Sequence, residues 1–128
     1  MQKIPILKIG KNLIVSLQFD VDDKTALQLQ SDLLQTISKT GATGVIIELS
    51  ALDMVDSFMG RIISDISKMS ASMNANTVVA GIQPSVAITL VELGLKLEQV
   101  HTVLNIEDGI ELLTELDRQI ENDDSEDQ

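Results

Sequence analysis

Two short β-branched runs, Val45-Ile46-Ile47-Glu48-Leu49 and Thr77-Val78-Val79-Ala80-Gly81-Ile82, constrain the fold more than anything else in the chain. The first is short and β-branched, the pattern of a strand central in a sheet, and the second reads as a further strand. A segment of helical periodicity lies between them. Strands joined by a helix pair in parallel, because the crossover carries the chain back to the same end of the sheet.

The remaining segments extend this alternation. Residues 5–10 and 12–18 read as two strands around a Gly10-Lys11-Asn12 turn, which predicts a hairpin. Asp22 or Asp23 caps a helix reaching about Thr40, with Ala26, Leu29, Leu33, Leu34 and Ile37 on its buried face and Gly41 at its end. A loop from Ser50 to Asp56 leads into a helix from about Ser57 to Met73. Pro84 and Gly94 bracket a third, short helix. Val100 to Leu104 suits a last edge strand. Asn105, with Asp108 three residues on, opens a final helix whose stripe is Ile106, Ile110, Leu113, Leu116 and Ile120. The order ββαβαβα(β)α predicts an α/β fold: a single mixed, mostly parallel sheet of four to five strands with about four helices packed against it. Residues 1–120 form the domain, and 121–128, ENDDSEDQ, read as a disordered acidic tail.

Composition narrows the chemistry. Only Phe19 and Phe58 are aromatic, so an aliphatic core is required; 128 residues, 44% of them apolar, are enough to build one. The chain has no cysteine, which removes disulfides, thiol catalysis and thiolate metal sites. The first residues, MQKIPILKIGK, lack a signal-peptide core, and no apolar run approaches the ~18 residues of a membrane span. A cytoplasmic protein without membrane attachment is expected. The net charge is −11, five of those charges falling in 121–128, and a surface this acidic repels nucleic acid.

No enzymatic motif survives inspection. Gly10-Lys11 is preceded by Pro5 where a phosphate loop needs glycine, and Asn12 replaces its Ser or Thr. Gly41-Ala42-Thr43-Gly44 leads into a strand, so it is a turn and no dinucleotide fingerprint. His101, the sole histidine, has no partner for a metal site or a triad and reads as structural or surface. Asp53 and Asp56 suit helix capping better than acid–base work. The expectation is therefore no catalytic residue, no metal and no cofactor.

What stands out is where Leu52-Asp53-Met54-Val55-Asp56-Ser57-Phe58-Met59-Gly60-Arg61 lies. It joins the end of a central strand to a helix start, the place where open α/β sheets bind ligands and partners. At about 100° per residue from Ser57, Met59, Ile62, Ile63, Ile66, Met69, Ser70 and Met73 gather into one stripe, with its two outer methionines as core filler. Ser57, Arg61, Ser64, Asp65, Lys68 and Ser72 take the opposite side. Ser57 is then either an ordinary helix cap or an exposed hydroxyl open to a kinase, with Arg61 one turn along.

The order of elements and the segment Leu49–Phe58 resemble a STAS domain, the fold of bacterial anti-sigma-factor antagonists. In that family an acidic and apolar strand leads to an Asp-Ser pair at a helix start, matched here by Val45–Leu49 and Asp56-Ser57. Glu48 stands where the family usually has Asp, and Ser57-Phe58 where many antagonists have Ser-Ser or Ser-Gly. Lys3–Lys8, Asp22–Leu27, Asp53–Phe58 and Gly81–Pro84 carry a closer likeness, over nearly the whole chain, to the stressosome scaffolds within this family. The resemblance implies a non-enzymatic scaffold that self-associates with an RsbR-like STAS paralogue into a large assembly. It implies sequestration of an RsbT-like serine/threonine kinase, release of that kinase when Ser57 is phosphorylated, and reset by an RsbX-like phosphatase. Asp53, Asp56, Phe58 and Arg61 are then the partner-binding residues. A simple anti-sigma antagonist, switched at the same serine, is the alternative. A small-molecule module is disfavoured, since no loop cradles phosphate and aromatic surface is scarce.

Overall fold

Strand β1 (Leu7–Ile9) turns at Gly10-Lys11 into β2 (Asn12–Ser16), and the two pair antiparallel with Leu7 opposite Ile14. The computed structural model describes residues 3–18, 21–94 and 100–126, with 121–126 as backbone. Helix α1 (Asp23–Thr40) follows, capped by Asp22. It ends at Gly41, whose φ of 69° lets its N–H turn back to the Ile37 carbonyl at 2.9 Å. Then come β3 (Gly44–Glu48), α2 (Ser57–Ser72), β4 (Asn76–Ala80), α3 (Pro84–Glu92), β5 (His101–Val103) and α4 (Ile106–Glu126).

The five strands form one sheet in the order β1-β2-β3-β4-β5, parallel throughout except for the β1–β2 pair. The α/β architecture read from the sequence is the observed one, with four helices and β3 at the centre. The strands are shorter than their apolar runs: residues 5–6, 17–18 and 81–82 lie outside them. Leu49 still extends the ladder past β3 by donating its N–H to the Ala80 carbonyl at 2.9 Å.

Side-chain alternation divides the core in two. Leu13, Val15, Val45, Ile47 and Val79 face α1, α2 and α3, forming the larger cluster with Leu29, Leu33, Ile63, Ile66 and Leu90. Ile14, Ile46, Val78 and Ala80 face the other way, against Leu113, Ile106 and Ile110 of α4. Each fully buried aliphatic side chain contributes about 1.5–3 kcal/mol relative to exposure, so the β-branched runs that define the strands also hold both helical layers to the sheet.

Three expectations need correcting. The buried side of α2 is wider than its stripe, because Gly60 and Ser67 are buried too. Gly60 meets α3: a Cβ there would lie 2.6 Å from the Leu93 Cδ1. Met69, in contrast, is 40% exposed, with Gln30 Nε2 donating to its sulfur at 3.3 Å, and Met73 is only half-buried, so neither is simple core filler. In α4, Leu113 is buried but Ile120 is 52% exposed. Leu113 lies beside Gly44, at the start of β3, and Asp117 reaches Lys11 in the β1–β2 turn at 3.6 Å. Beyond that point the helix has left the sheet that the stripe would pack on. Finally, α4 runs to Glu126, so helical backbone continues into the acidic segment expected to be a disordered tail. No glycine or proline interrupts 110–126; residues 127–128 lie outside the described part. His101 is exposed on the edge strand.

Candidate functional site

The connection from β3 to α2 is built in steps. Glu48 accepts the Ser50 N–H on Oε1 at 2.8 Å, and the Leu52 N–H donates to the Leu49 carbonyl at 2.9 Å, so the chain turns as soon as it leaves the sheet. Leu52 and Val55 are buried and tie the loop to the larger core cluster. Between and after these anchors, Asp53, Met54 and Asp56 point outward; Met54 is 73% exposed. An exposed thioether of this size beside two carboxylates had no signal in the sequence.

Asp56 is the N-cap of α2. Its backbone is extended (φ −83°, ψ 172°) and its Oδ1 accepts the Met59 N–H at 2.8 Å. Ser57 is therefore the first helical residue and leaves the capping to its neighbour. Its side chain is exposed, and among the described residues its hydroxyl has no hydrogen-bond partner. Arg61, one turn along, is exposed and forms no ion pair among the described residues. Phe58 is half-buried and packs against the core. Of the residues singled out from the sequence, Asp53, Asp56, Ser57 and Arg61 are thus each solvent-exposed, and Phe58 is half-buried among them in the chain. Lys68 continues the exposed side, while Ser64 and Asp65 are half-buried.

Beside the Met54 side of the loop a cleft of about 350 Å³ opens between the starts of α1 and α2, lined by Val21, Asp23, Leu52, Met54, Asp56 and Met59 among others. Two further side chains belong to the site and were missed. Gln83 donates from Nε2 to the Ser50 carbonyl, and Ser85 from Oγ to the Asp53 carbonyl, both at 3.2 Å. Sequence reading assigned them to another helix start, more than thirty residues away. Among the described residues no three His, Asp or Glu side chains gather as metal ligands.

The arrangement offers an exposed hydroxyl in the first turn of a helix, with two carboxylates before it and one guanidinium after it in the chain. An exposed serine hydroxyl at such a position has the chemistry of a group that accepts a modification.

Comparison with known proteins gives this chain a family. The STAS domain model matches residues 3–109. A serine-to-glutamate variant of RsbS from Moorella thermoacetica superposes with a TM-score of 0.85 at 35% identity, over 91% of this chain and 99% of that one. A chain of the stressosome, described as a signal integration and transduction hub, gives a TM-score of 0.81 at 37% identity, over 89% of this chain and 99% of that one. The RsbT co-antagonist protein RsbRA of Bacillus subtilis is 29% identical over 118 residues, 91% of this chain; the chain spans 43% of that relative's length. Among the described residues no helix is long and apolar enough to cross a membrane. The chain belongs to the STAS-domain family.

Proposed function

We propose that this protein is a stressosome scaffold of the RsbS kind that holds an RsbT-like serine/threonine kinase and releases it when that kinase phosphorylates Ser57. The observation that carries the reading is the free Ser57 hydroxyl: Asp56 does the capping, so Ser57 can be modified without removing a bond that α2 depends on. Similarity to RsbS and to a stressosome chain, each above one-third identity, supports the scaffold role. Similarity to RsbRA supports an RsbR-like STAS paralogue as co-scaffold in a large cytoplasmic assembly. An RsbX-like phosphatase completes the cycle by removing the phosphate. The protein itself performs no catalysis.

The switch is electrostatic. A phosphate on Ser57 adds about −1.5 to −2 charges. The α2 dipole and Arg61 favour that charge, whereas Asp53 and Asp56 oppose it. A kinase surface that accepts Asp53 and Asp56 beside a neutral serine meets a much more acidic patch after phosphorylation, so the interface weakens with no refolding.

The test is to mix the protein with the RsbT-like kinase of its own organism and Mg-ATP, locate the phosphate by mass spectrometry and measure kinase retention by pull-down. Phosphate at Ser57 with reduced retention is expected. Equal retention of the kinase by both forms rules the switch out.

A further inference from the structure

We infer that Ser85, assisted by Gln83, is a positioning residue for phosphorylation of Ser57: from the start of α3 it holds the Asp53–Met54 rim that the kinase grips. The inference rests on the reading of Ser57 as the phosphoacceptor and adds a second element to its site.

The loop between β3 and α2 is held from inside by Leu52 and Val55, but the outward-facing stretch between them has no packing of its own. Its orientation is set from the side. Gln83 occupies the N-cap position of α3 yet makes no capping bond. Its Nε2 donates instead to the Ser50 carbonyl, while Ser85, in the first turn, donates from Oγ to the Asp53 carbonyl. Two donors on one helix start thus meet two carbonyls three residues apart on the loop. The turn after β4 brings them there. Gly81 sits at φ 72°, and a Cβ at that position would lie 2.8 Å from the Glu48 Oε1 that accepts the Ser50 N–H. The loops after β3 and β4 therefore touch, and the second braces the first.

The consequence follows from what each bond holds. Ser57 itself is fixed by α2 and the Asp56 cap, so losing the Ser85 hydroxyl leaves the phosphoacceptor where it is. What loosens is the path through Asp53 and Met54, the exposed approach to Ser57. A rim that must be ordered on docking weakens binding without slowing the chemical step. The effect appears in KM, leaving kcat alone.

The experiment compares wild type, Ser85→Ala, Ser85→Thr and Gln83→Ala as substrates of the RsbT-like kinase, with Ser72→Ala as a surface-serine control at the far end of α2. Phosphate is located by mass spectrometry, and amide hydrogen exchange is followed across residues 50–56. Ser85→Ala should raise KM for Ser57 about fivefold, the scale of one hydrogen bond, with kcat unchanged and exchange at Asp53–Val55 accelerated while α1 stays protected. Gln83→Ala should shift KM the same way. Ser85→Thr keeps the hydroxyl and should restore wild-type KM. An unchanged KM in Ser85→Ala while Ser57 is phosphorylated normally overturns the positioning role alone. Failure of Ser85→Thr to restore KM also overturns it, because the hydroxyl is then not the operative group. Wild-type protein that takes up no phosphate on Ser57 removes this inference and the proposed function together.

Discussion

At the ends of the adjacent parallel strands β2 and β3, two helices start on the same chemistry. Asp22 caps α1 by accepting the Thr25 N–H at 2.7 Å, and Asp56 caps α2 by accepting the Met59 N–H at 2.8 Å. The residues just inside differ. The first position of α1 is Asp23, and one turn on comes Leu27, 52% exposed; in α2 the same positions are Ser57 and Arg61. The caps are equivalent, so capping is not what sets α2 apart. What does is an exposed hydroxyl at the first position, a cation one turn along and a loop braced by α3. The α1 start teaches something further. It carries a carboxylate at its first position and still forms an 18-residue helix, as the N-terminal dipole favours. A negative charge at the matching position of α2 is compatible with an intact helix.

The sharpest way to break the comparison is at Ser57. Ser57→Ala should abolish phosphate uptake while kinase retention stays at the wild-type level, because among the described residues the serine hydroxyl has no hydrogen-bond partner. Residual phosphate on this variant, located elsewhere by mass spectrometry, would show that the difference between the two helix starts is not the functional one. Ser57→Asp should lower retention on the order of tenfold, through like charges brought together at the interface. Phosphoserine should lower it more, since it carries nearly two charges and an extra oxygen. Circular dichroism of both forms should match the unmodified protein. A loss of helix on phosphorylation would contradict the precedent of Asp23.

A smaller effect should come from the charge one turn along. Arg61→Glu should weaken kinase retention and slow Ser57 phosphorylation several-fold, as rim charges act largely on association. Leu27→Glu, its counterpart on α1, should change neither. Caps come next. Asp56→Ala should cost about 0.5–2 kcal/mol in chemical denaturation and should also disturb kinase binding. Asp22→Ala should destabilise in the same direction and leave binding intact.

Much of this was legible from the sequence because it depends on local chemistry. Asp22, Gly41 and Asn105 act as caps and stops where their residue types say they should, the last with its Oδ1 accepting the Asp108 N–H at 2.8 Å. The β-branched run Val45–Leu49 marks the central strand, and β3 is central. The sequence left open whether Asp56 or Ser57 capped α2, since both residue types cap well and one residue of offset is invisible to periodicity. What stayed hidden depends on partners distant in sequence. Gly60 is buried against a short helix that the α2 pattern does not encode, Ser67 is buried outside the apolar stripe, and Ile120 keeps the α4 period after the sheet beneath it has ended. The brace from Gln83 and Ser85 is hidden for the same reason: it joins two connections that only the parallel sheet brings side by side.

The smallest expected effect is a pH dependence peculiar to the control helix. The Asp22 carboxyl is held below its ordinary value, chiefly by hydrogen bonding to the Thr25 side chain and then to the Thr25 backbone N–H. These bonds need the carboxylate, so the folded state binds the proton less readily than the unfolded chain does. A depressed folded pKa contributes stability that is complete above the unfolded value, 3.8 for this group, and is lost as pH falls through the folded one. The gap in Tm between wild type and Asp22→Ala should therefore be constant from neutral pH down to about 5 and shrink below about 4. Asp22→Asn keeps an amide oxygen for the Thr25 N–H and caps as well as Asp, so its stability should match wild type at neutral pH and lack this acid-dependent component. Because the Asp22 side chain bonds within its own helix start and not to Ser57, Arg61 or the α3 brace, none of these variants should alter Ser57 phosphorylation at neutral pH. A change there would mean that the kinase surface reaches across the cleft to α1, and that the two helix starts work as one site.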